Sequence, residues 1–119
     1  MVSTQIQKRQ QPKLFHVQTS TYINLPLDRS EIHIGKPNGH IPPDIDVASL
    51  PNADVVSRVH AQISVEEGRY FFIKDLGSAN GTYLNGTLLT PQTRRQLKLK
   101  DKIDLGKENK VTFVFSWDE

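Results

Sequence analysis

The stretch AQISVEEGRYFFIKD, residues 61–75, begins with six residues that alternate between apolar and polar side chains with a period of two. The first half places Ala61, Ile63 and Val65 on one face, which is the pattern of a strand with one buried side. A Glu-Gly pair at residues 67–68 supplies a tight turn, and a second apolar run returns from it. The stretch therefore predicts a β-hairpin, with two strands that pack against a core.

The same signature recurs on both sides of this hairpin. Short apolar runs are separated by turn residues, among which Asn85-Gly86 is the strongest hairpin signal. No segment has a convincing helical period, and prolines at positions 37, 42, 43 and 51 interrupt the longest candidate. Many short strands with closely spaced turns predict an all-β sandwich or barrel. The expected strands are 14–20, 22–25, 31–34, 61–66, 70–75, 82–84, 87–89, 97–99, 103–105 and 111–117.

The 119 residues are enough for one domain with its own core. Residues 1–13 are rich in glutamine and basic side chains, so they predict a tail or linker end of a longer chain, with the domain at 14–119. The chain contains no cysteine, which excludes disulfides and thiol catalysis. It also lacks an apolar run of membrane-spanning or signal-peptide character. We therefore expect a soluble, cytoplasmic protein, and nothing in the sequence requires more than a monomer.

Three loops contain the residues with binding chemistry. The first opens with Gly35-Lys36, the second contains Ser57-Arg58, and the third, residues 76–82, reads LGSANGT. Together they offer two cations, small hydroxyls, an amide, and glycines that let backbone N–H groups approach a ligand. Guanidinium and hydroxyl donors match the oxygens of an anion such as phosphate. These donors and cations predict a receptor for an oxyanion. The set lacks a nucleophile–base pair, so it does not predict an enzyme.

Three motifs, in this order along the chain, resemble the forkhead-associated (FHA) family. They are Ile34-Gly35-Lys36, Ser57-Arg58-Val59-His60 and Asn80-Gly81-Thr82-Tyr83-Leu84-Asn85-Gly86. The resemblance extends from about residue 14 to residue 117. It implies the family's fold, a two-sheet, mostly antiparallel β-sandwich of about eleven strands (FHA/SMAD-like). It also implies a phosphothreonine-dependent signalling adaptor, without enzymatic activity or cofactor, whose partner is a threonine-phosphorylated protein from a Ser/Thr kinase pathway.

The resemblance further implies a role for each matched residue. Ser57 would donate to a phosphate oxygen, and Arg58 would add a charge-assisted contact. Lys36 stands where the family usually has arginine. Asn80 would hold the peptide main chain just after the phosphothreonine, and Ser78 belongs to the same predicted peptide-binding group. The residues expected to support the site from within are Gly35, His60, Gly81 and Thr82.

Two features depart from the family's pattern. Lysine is a point charge and cannot make the two-pronged contact of a guanidinium, so Arg58 should take the larger share of phosphate binding. Lys36 also keeps open an alternative, a phosphate-independent interaction domain of the same fold. Residues 48–56 form a longer connection than usual, which is expected to be a surface insertion; contact with the peptide is the alternative.

The serine and histidine residues of the chain favour neither an enzyme nor a metal site. Ser57 and His60 are three apart at the start of a strand, where alternation directs their side chains differently, and no third group is evident. The remaining histidines, His16, His33 and His40, lack the spacing of metal ligands. We therefore expect neither a catalytic site nor a metal site.

Nucleic-acid binding is the other function that the composition raises. The net charge is +2 and the isoelectric point about 9.0, and basic residues are frequent in the last third of the chain. Acidic residues are interleaved among them, and aromatic residues suited to base stacking are not obvious. The basic segment therefore predicts a solvated face, and no nucleic-acid or membrane partner is expected.

Overall fold

The computed structural model describes residues 11–39 and 41–117. Most of the predicted tail, residues 1–10, lies outside the described residues. The described part contains eleven strands and one turn of 3-10 helix, Ala53–Val55, and no helix there is long and apolar enough to cross a bilayer. The strands are β1 (Pro12–His16), β2 (Thr21–Asn24), β3 (Glu31–Gly35), β4 (Ile45–Asp46), β5 (Val59–Glu66), β6 (Tyr70–Asp75), β7 (Thr82–Leu84), β8 (Thr87–Leu88), β9 (Arg95–Leu97), β10 (Lys102–Leu105) and β11 (Thr112–Trp117).

The strands form a two-sheet β-sandwich, which confirms the predicted fold class. One sheet has six strands in the order β2-β1-β11-β10-β7-β8, and the other has five in the order β4-β3-β5-β6-β9. Strands β3 and β4 pair in parallel, whereas the other pairings described are antiparallel. The parallel pair requires the chain to cross over between its two strands, and this connection carries Lys36.

The predicted hairpin is present as β5 and β6, and it lies within the five-stranded sheet, between β3 and β9. Ile63 pairs with Ile73, and both side chains are fully buried, as is that of Ala61, whereas Val65 is half-buried. Each fully buried aliphatic side chain contributes roughly 1.5–3 kcal/mol to stability. The inner faces of the two sheets meet in one hydrophobic core, whose largest members include Leu14, Leu25, Ile32, Ile34, Leu89, Ile103, Leu105, Phe113 and Phe115.

Strand β9 lies two residues earlier than the predicted strand 97–99. Leu97 pairs with Phe71 of β6, and this register turns the Leu97 side chain into the core. The Asp101 carboxylate then accepts a hydrogen bond from the Lys98 N–H at 2.8 Å, which closes a turn where the sequence predicted a strand. Strand β4 was not predicted at all, since two residues are too short to show a period.

The topology gathers three loops at one end of the sandwich. They are the connection from β3 to β4, the loop before β5, and the connection from β6 to β7. The Lys36 N–H donates to the Arg58 carbonyl at 2.9 Å, which joins the first loop to the second. The Ala79 N–H donates to the Ser57 hydroxyl at 2.9 Å, which joins the third loop to the second.

Candidate functional site

Gly35 ends β3 at the point where the backbone of Arg58 passes closest. A Cβ atom at position 35 would lie 1.9 Å from the Arg58 carbonyl oxygen, which is far inside van der Waals contact. That carbonyl also accepts the hydrogen bond from the Lys36 N–H. Position 35 therefore requires glycine because there is no room for a side chain. This close approach is what brings Lys36 beside Arg58.

Ser57 connects two of the loops through both its backbone and its side chain. Its N–H donates to His60 Nδ1 at 2.9 Å, and its hydroxyl oxygen accepts the N–H of Ala79. No residue among 11–39 and 41–117 accepts a hydrogen bond from the hydroxyl itself. The Ser57 hydroxyl is therefore held in place as an acceptor while its proton is available to a ligand.

His60 is completely buried at the second position of β5. Because Nδ1 accepts the Ser57 N–H, the ring proton lies on Nε2, which donates to the Gly81 carbonyl at 2.9 Å. Burial lowers the pKa of His60, and the charge of Lys36 adds to this effect, whereas the bond to Gly81 and the charge of Asp75 oppose it. The ring is thus neutral at pH 7, and it joins the Ser57 loop to the β6–β7 loop.

Asp75, at the end of β6, organises the β6–β7 loop. Its Oδ1 accepts the hydroxyls of Ser78 at 2.6 Å and Thr82 at 2.7 Å. Its Oδ2 accepts the N–H groups of Gly77 at 2.9 Å and Ser78 at 3.1 Å. Burial alone would raise the pKa of Asp75, but these hydrogen bonds outweigh it and leave the pKa below its ordinary value. Asp75 therefore remains ionised at neutral pH and fixes the loop.

Ser78 is committed to this loop. Its hydroxyl donates to Asp75 and accepts the Gly81 N–H at 2.9 Å, so its single donor is already used. The sequence grouped Ser78 with the residues predicted to contact the peptide. In the structure the hydroxyl proton is engaged by Asp75, so it is not available to a phosphate oxygen, and contact between Ser78 and the peptide stays a prediction.

The 3-10 turn in the long connection anchors two predicted binding residues. Lys36 Nζ donates to the Ala53 carbonyl at 2.8 Å, and Asn80 Nδ2 donates to the Val55 carbonyl at 2.9 Å. Asn80 is exposed and Lys36 is half-buried. Residues 48–56 are thus more than a surface insertion, since their backbone positions side chains from the other two loops.

Arg58 is the cation with the greatest exposure in this group. Its side chain makes no hydrogen bond or ion pair with residues 11–39 or 41–117, whereas its backbone is fixed by the contacts with Gly35 and Lys36. A guanidinium held in this way carries a permanent charge and a fork of donors into solvent. Arg58, Ser57 and Lys36 thus belong to loops that hydrogen bonds hold together at one end of the sandwich, and their side chains have the chemistry that an anion requires.

Sequence reasoning missed the groups that hold this surface together. Asp75 was seen only as the end of a strand, although an aspartate followed by Leu-Gly-Ser is the signal of a side chain that accepts nearby backbone N–H groups. The carbonyls of Ala53 and Val55 have no such signal, because every residue carries a carbonyl.

The sequence matches the family model of the FHA domain over residues 32–106, which includes all three loops. The chain belongs to the FHA family. FHA domains are protein-interaction modules rather than enzymes. The resemblance inferred from the three motifs is therefore confirmed.

One curated relative is similar over most of the chain. Protein FraH from Nostoc sp. (strain PCC 7120) is 50% identical over 103 residues, which cover 87% of this chain and 35% of FraH. The chain thus spans about a third of the length of FraH. The similarity therefore concerns the FHA domain and not the whole of the longer protein.

Solved FHA structures have the same fold. The solution structure of the FHA domain of an Arabidopsis thaliana hypothetical protein has a TM-score of 0.73 and 25% identity, covering 92% of this chain and 86% of that one. The N-terminal FHA domain of S. cerevisiae Rad53p, solved in complex with a phosphothreonine peptide, has a TM-score of 0.71 and 22% identity, covering 91% and 94%. The two-sheet sandwich therefore has the fold of known FHA domains.

Proposed function

We propose that this domain binds peptides that contain phosphothreonine, through the three loops at one end of the sandwich. The observation that carries the proposal is the Ser57 hydroxyl, which is fixed by the Ala79 N–H and whose proton no described residue accepts. Arg58 follows Ser57 in the chain, and Lys36 is on the loop whose N–H bonds the Arg58 carbonyl, so both cations belong to the same end of the sandwich. One hydroxyl donor and two positive charges match the oxygens and the charge of a phosphate group.

Arg58 and Lys36 would share the charge of the phosphate unequally. A phosphothreonine carries about two negative charges at neutral pH. Lys36 already donates one of its N–H groups to the Ala53 carbonyl, whereas the Arg58 fork has no partner among the described residues. A guanidinium also makes bidentate contacts that an ammonium cannot. Arg58 is therefore assigned the principal contact and Lys36 a secondary one.

Asn80 would hold the main chain of the peptide just after the phosphothreonine. Its side chain is exposed but oriented by the bond to the Val55 carbonyl, which leaves its own carbonyl oxygen and a second N–H for a ligand. Ser78 is assigned to loop support, since its hydroxyl is engaged by Asp75. The other residues proposed to support the site are Gly35, His60, Gly81 and Thr82.

The partner in this proposal is a threonine-phosphorylated protein of a Ser/Thr kinase pathway, and the domain acts as a signalling adaptor without catalysis or cofactor. We propose that it works as a monomer in the cytoplasm. The basic residues near the C-terminal end do not argue for nucleic acid, because several are compensated. Lys102 lies 3.6 Å from Asp104, and Lys110 lies 3.5 Å from Glu108.

A screen of degenerate peptide libraries tests the proposal. Libraries with a fixed phosphothreonine, phosphoserine or threonine would be compared on the same domain. Binding only to the phosphothreonine library is expected, with micromolar affinity, about −8 kcal/mol. The bond from Lys36 to Ala53 favours the alternative of phosphate-independent binding, because it removes part of one cation's capacity. Equal binding of threonine and phosphothreonine peptides would establish that alternative.

A further inference from the structure

An apolar cleft of about 250 Å³ opens directly beside Arg58. Ile41, Pro42 and Pro43 of the β3–β4 connection form one wall, and Val59 of β5 forms another. Ile41 is 77% exposed and Val59 is 51% exposed, so two large apolar side chains face solvent at the same place. The proposed phosphate-binding residues do not explain this exposure.

The cleft is preformed by its own loop. The Asn38 side-chain oxygen accepts the Ile41 N–H at 3.1 Å, and an Asp44 carboxylate oxygen accepts the His33 N–H at 2.8 Å. The two consecutive prolines between these contacts have a fixed φ and little freedom. A ligand would therefore enter a cleft that is already shaped, and little binding energy would be lost in ordering it.

The volume and lining indicate what the cleft accommodates. An apolar cavity of about 150 Å³ holds a benzene molecule, so this cleft has room for one side chain of the size of leucine or phenylalanine. The Asp44 carboxylate, also in the lining, is held by Arg29 and by His33. Because this carboxylate is already engaged, because Arg58 is assigned to the phosphate, and because the rest of the lining is mostly apolar, the cleft favours an apolar occupant over a charged one.

The position of the cleft relates it to the proposed peptide. It shares Arg58 with the phosphate-binding group, but its lining contains none of Val55, Ala79 and Asn80. The cleft thus lies on the side of Arg58 that faces the β3–β4 connection, and Asn80 is not part of it. If Asn80 holds the main chain after the phosphothreonine, the cleft faces the residues that precede it.

We propose that the cleft receives an apolar side chain from the segment that precedes the phosphothreonine, and that it sets part of the peptide specificity. This inference rests on the proposed function. In this proposal, Ile41 and Val59 contact the same peptide whose phosphate group contacts Arg58. Burying a leucine-sized side chain there should tighten binding about fivefold to tenfold, since the open cleft covers only part of its surface.

The test uses phosphothreonine peptides with an alanine-rich background. A single leucine is moved through the four positions before and the four positions after the phosphothreonine, and each dissociation constant is measured by titration. One position before the phosphothreonine should show the gain. Val59→Ser and Ile41→Ser should remove this gain and retain binding of the all-alanine peptide. Val17→Ser, a control valine that is 42% exposed and outside the cleft lining, should retain the gain.

The outcomes separate this inference from the proposed function. If phosphopeptides bind but no leucine before the phosphothreonine improves binding, or if Val59→Ser leaves the gain intact, the cleft has no such role. A leucine gain in unphosphorylated peptides, or a concentration-dependent dimer that Val59→Ser abolishes, would assign the cleft to another occupant and overturn the inference. If no phosphopeptide binds at all, the proposed function itself is wrong.

Discussion

The hydroxyl oxygen of Ser57 accepts a hydrogen bond from the backbone N–H of Ala79, 22 residues further along the chain, at 2.9 Å. This bond occupies the hydroxyl as an acceptor and directs its proton elsewhere. The hydrogen bond comes from a different loop, so the position of the Ser57 hydroxyl depends on the folded domain and not on its own loop alone. The bond thus joins two loops of the sandwich and fixes the hydroxyl that we propose as a phosphate donor.

Replacing Ser57 by alanine should weaken phosphothreonine-peptide binding by about tenfold to one-hundredfold, because a hydrogen bond to a charged group contributes about 1.5–3 kcal/mol. The free energy of unfolding should change by less than about 1 kcal/mol, since Ala79 is exposed and water can satisfy its N–H. Titration and urea unfolding measure the two effects. Ser116→Ala, on β11, is the matched control and should alter neither.

Replacing Gly35 by alanine should destabilise the domain by about 3 kcal/mol or more, because the new Cβ meets the Arg58 carbonyl and the backbones must separate. Gly39→Ala is the control. Its Cβ would have no atom within 4 Å, so only the strain of its φ of +85° remains, about 1 kcal/mol. Equal unfolding free energies of the two variants in urea would show that the close approach does not matter.

Replacing Asp75 by asparagine should reduce stability by about 2–3 kcal/mol and also weaken phosphopeptide binding. The carboxylate accepts four hydrogen bonds in the β6–β7 loop, and an amide would present N–H groups to some of the same donors. Asp104→Asn offers a comparison, since its carboxylate is also buried and accepts the Thr112 hydroxyl at 2.5 Å. That variant should lose stability without losing affinity in the same titration.

Stability should fall as the pH drops below about 6.5. Burial lowers the pKa of both His16 and His60 from the ordinary 6.5. The unfolded chain therefore takes up protons near pH 6.5 that the folded chain does not, so the stabilisation is complete above this pH and declines below it. Each ring contributes up to about 1.4 kcal/mol per pH unit. Urea unfolding between about pH 8 and pH 5 measures the effect. An unfolding free energy that stays constant over this range would contradict it.

The strands that sequence predicted best are those with strong local signals. The hairpin of β5 and β6 has alternation and a Glu-Gly turn, and the strand before Asn85-Gly86 ends where that turn requires. Strand β9 was misplaced because its register depends on Phe71, a partner far away in sequence. Local patterns specify an element, but the pairing partner specifies where the element begins and ends.

The candidate site also contains some groups that the sequence can predict and others that it cannot. Lys36, Ser57 and Asn80 can be predicted from the sequence because their side chains and order form a motif. The groups that orient Lys36 and Asn80 are the carbonyls of Ala53 and Val55, in the connection that the sequence predicts to be an insertion. Backbone groups are the same in every residue, so only the folded chain shows which of them a side chain meets.

Arg58 is proposed to make the principal contact with the phosphate group. The most direct measurement is a titration of one phosphothreonine peptide and its unphosphorylated form into the wild-type domain, Arg58→Ala and Lys36→Ala. We expect the unphosphorylated peptide not to bind, Arg58→Ala to abolish detectable binding while leaving the unfolding transition unchanged, and Lys36→Ala to retain weakened binding. Phosphopeptide affinity that survives in a folded Arg58→Ala variant would show that Arg58 does not make the principal phosphate contact.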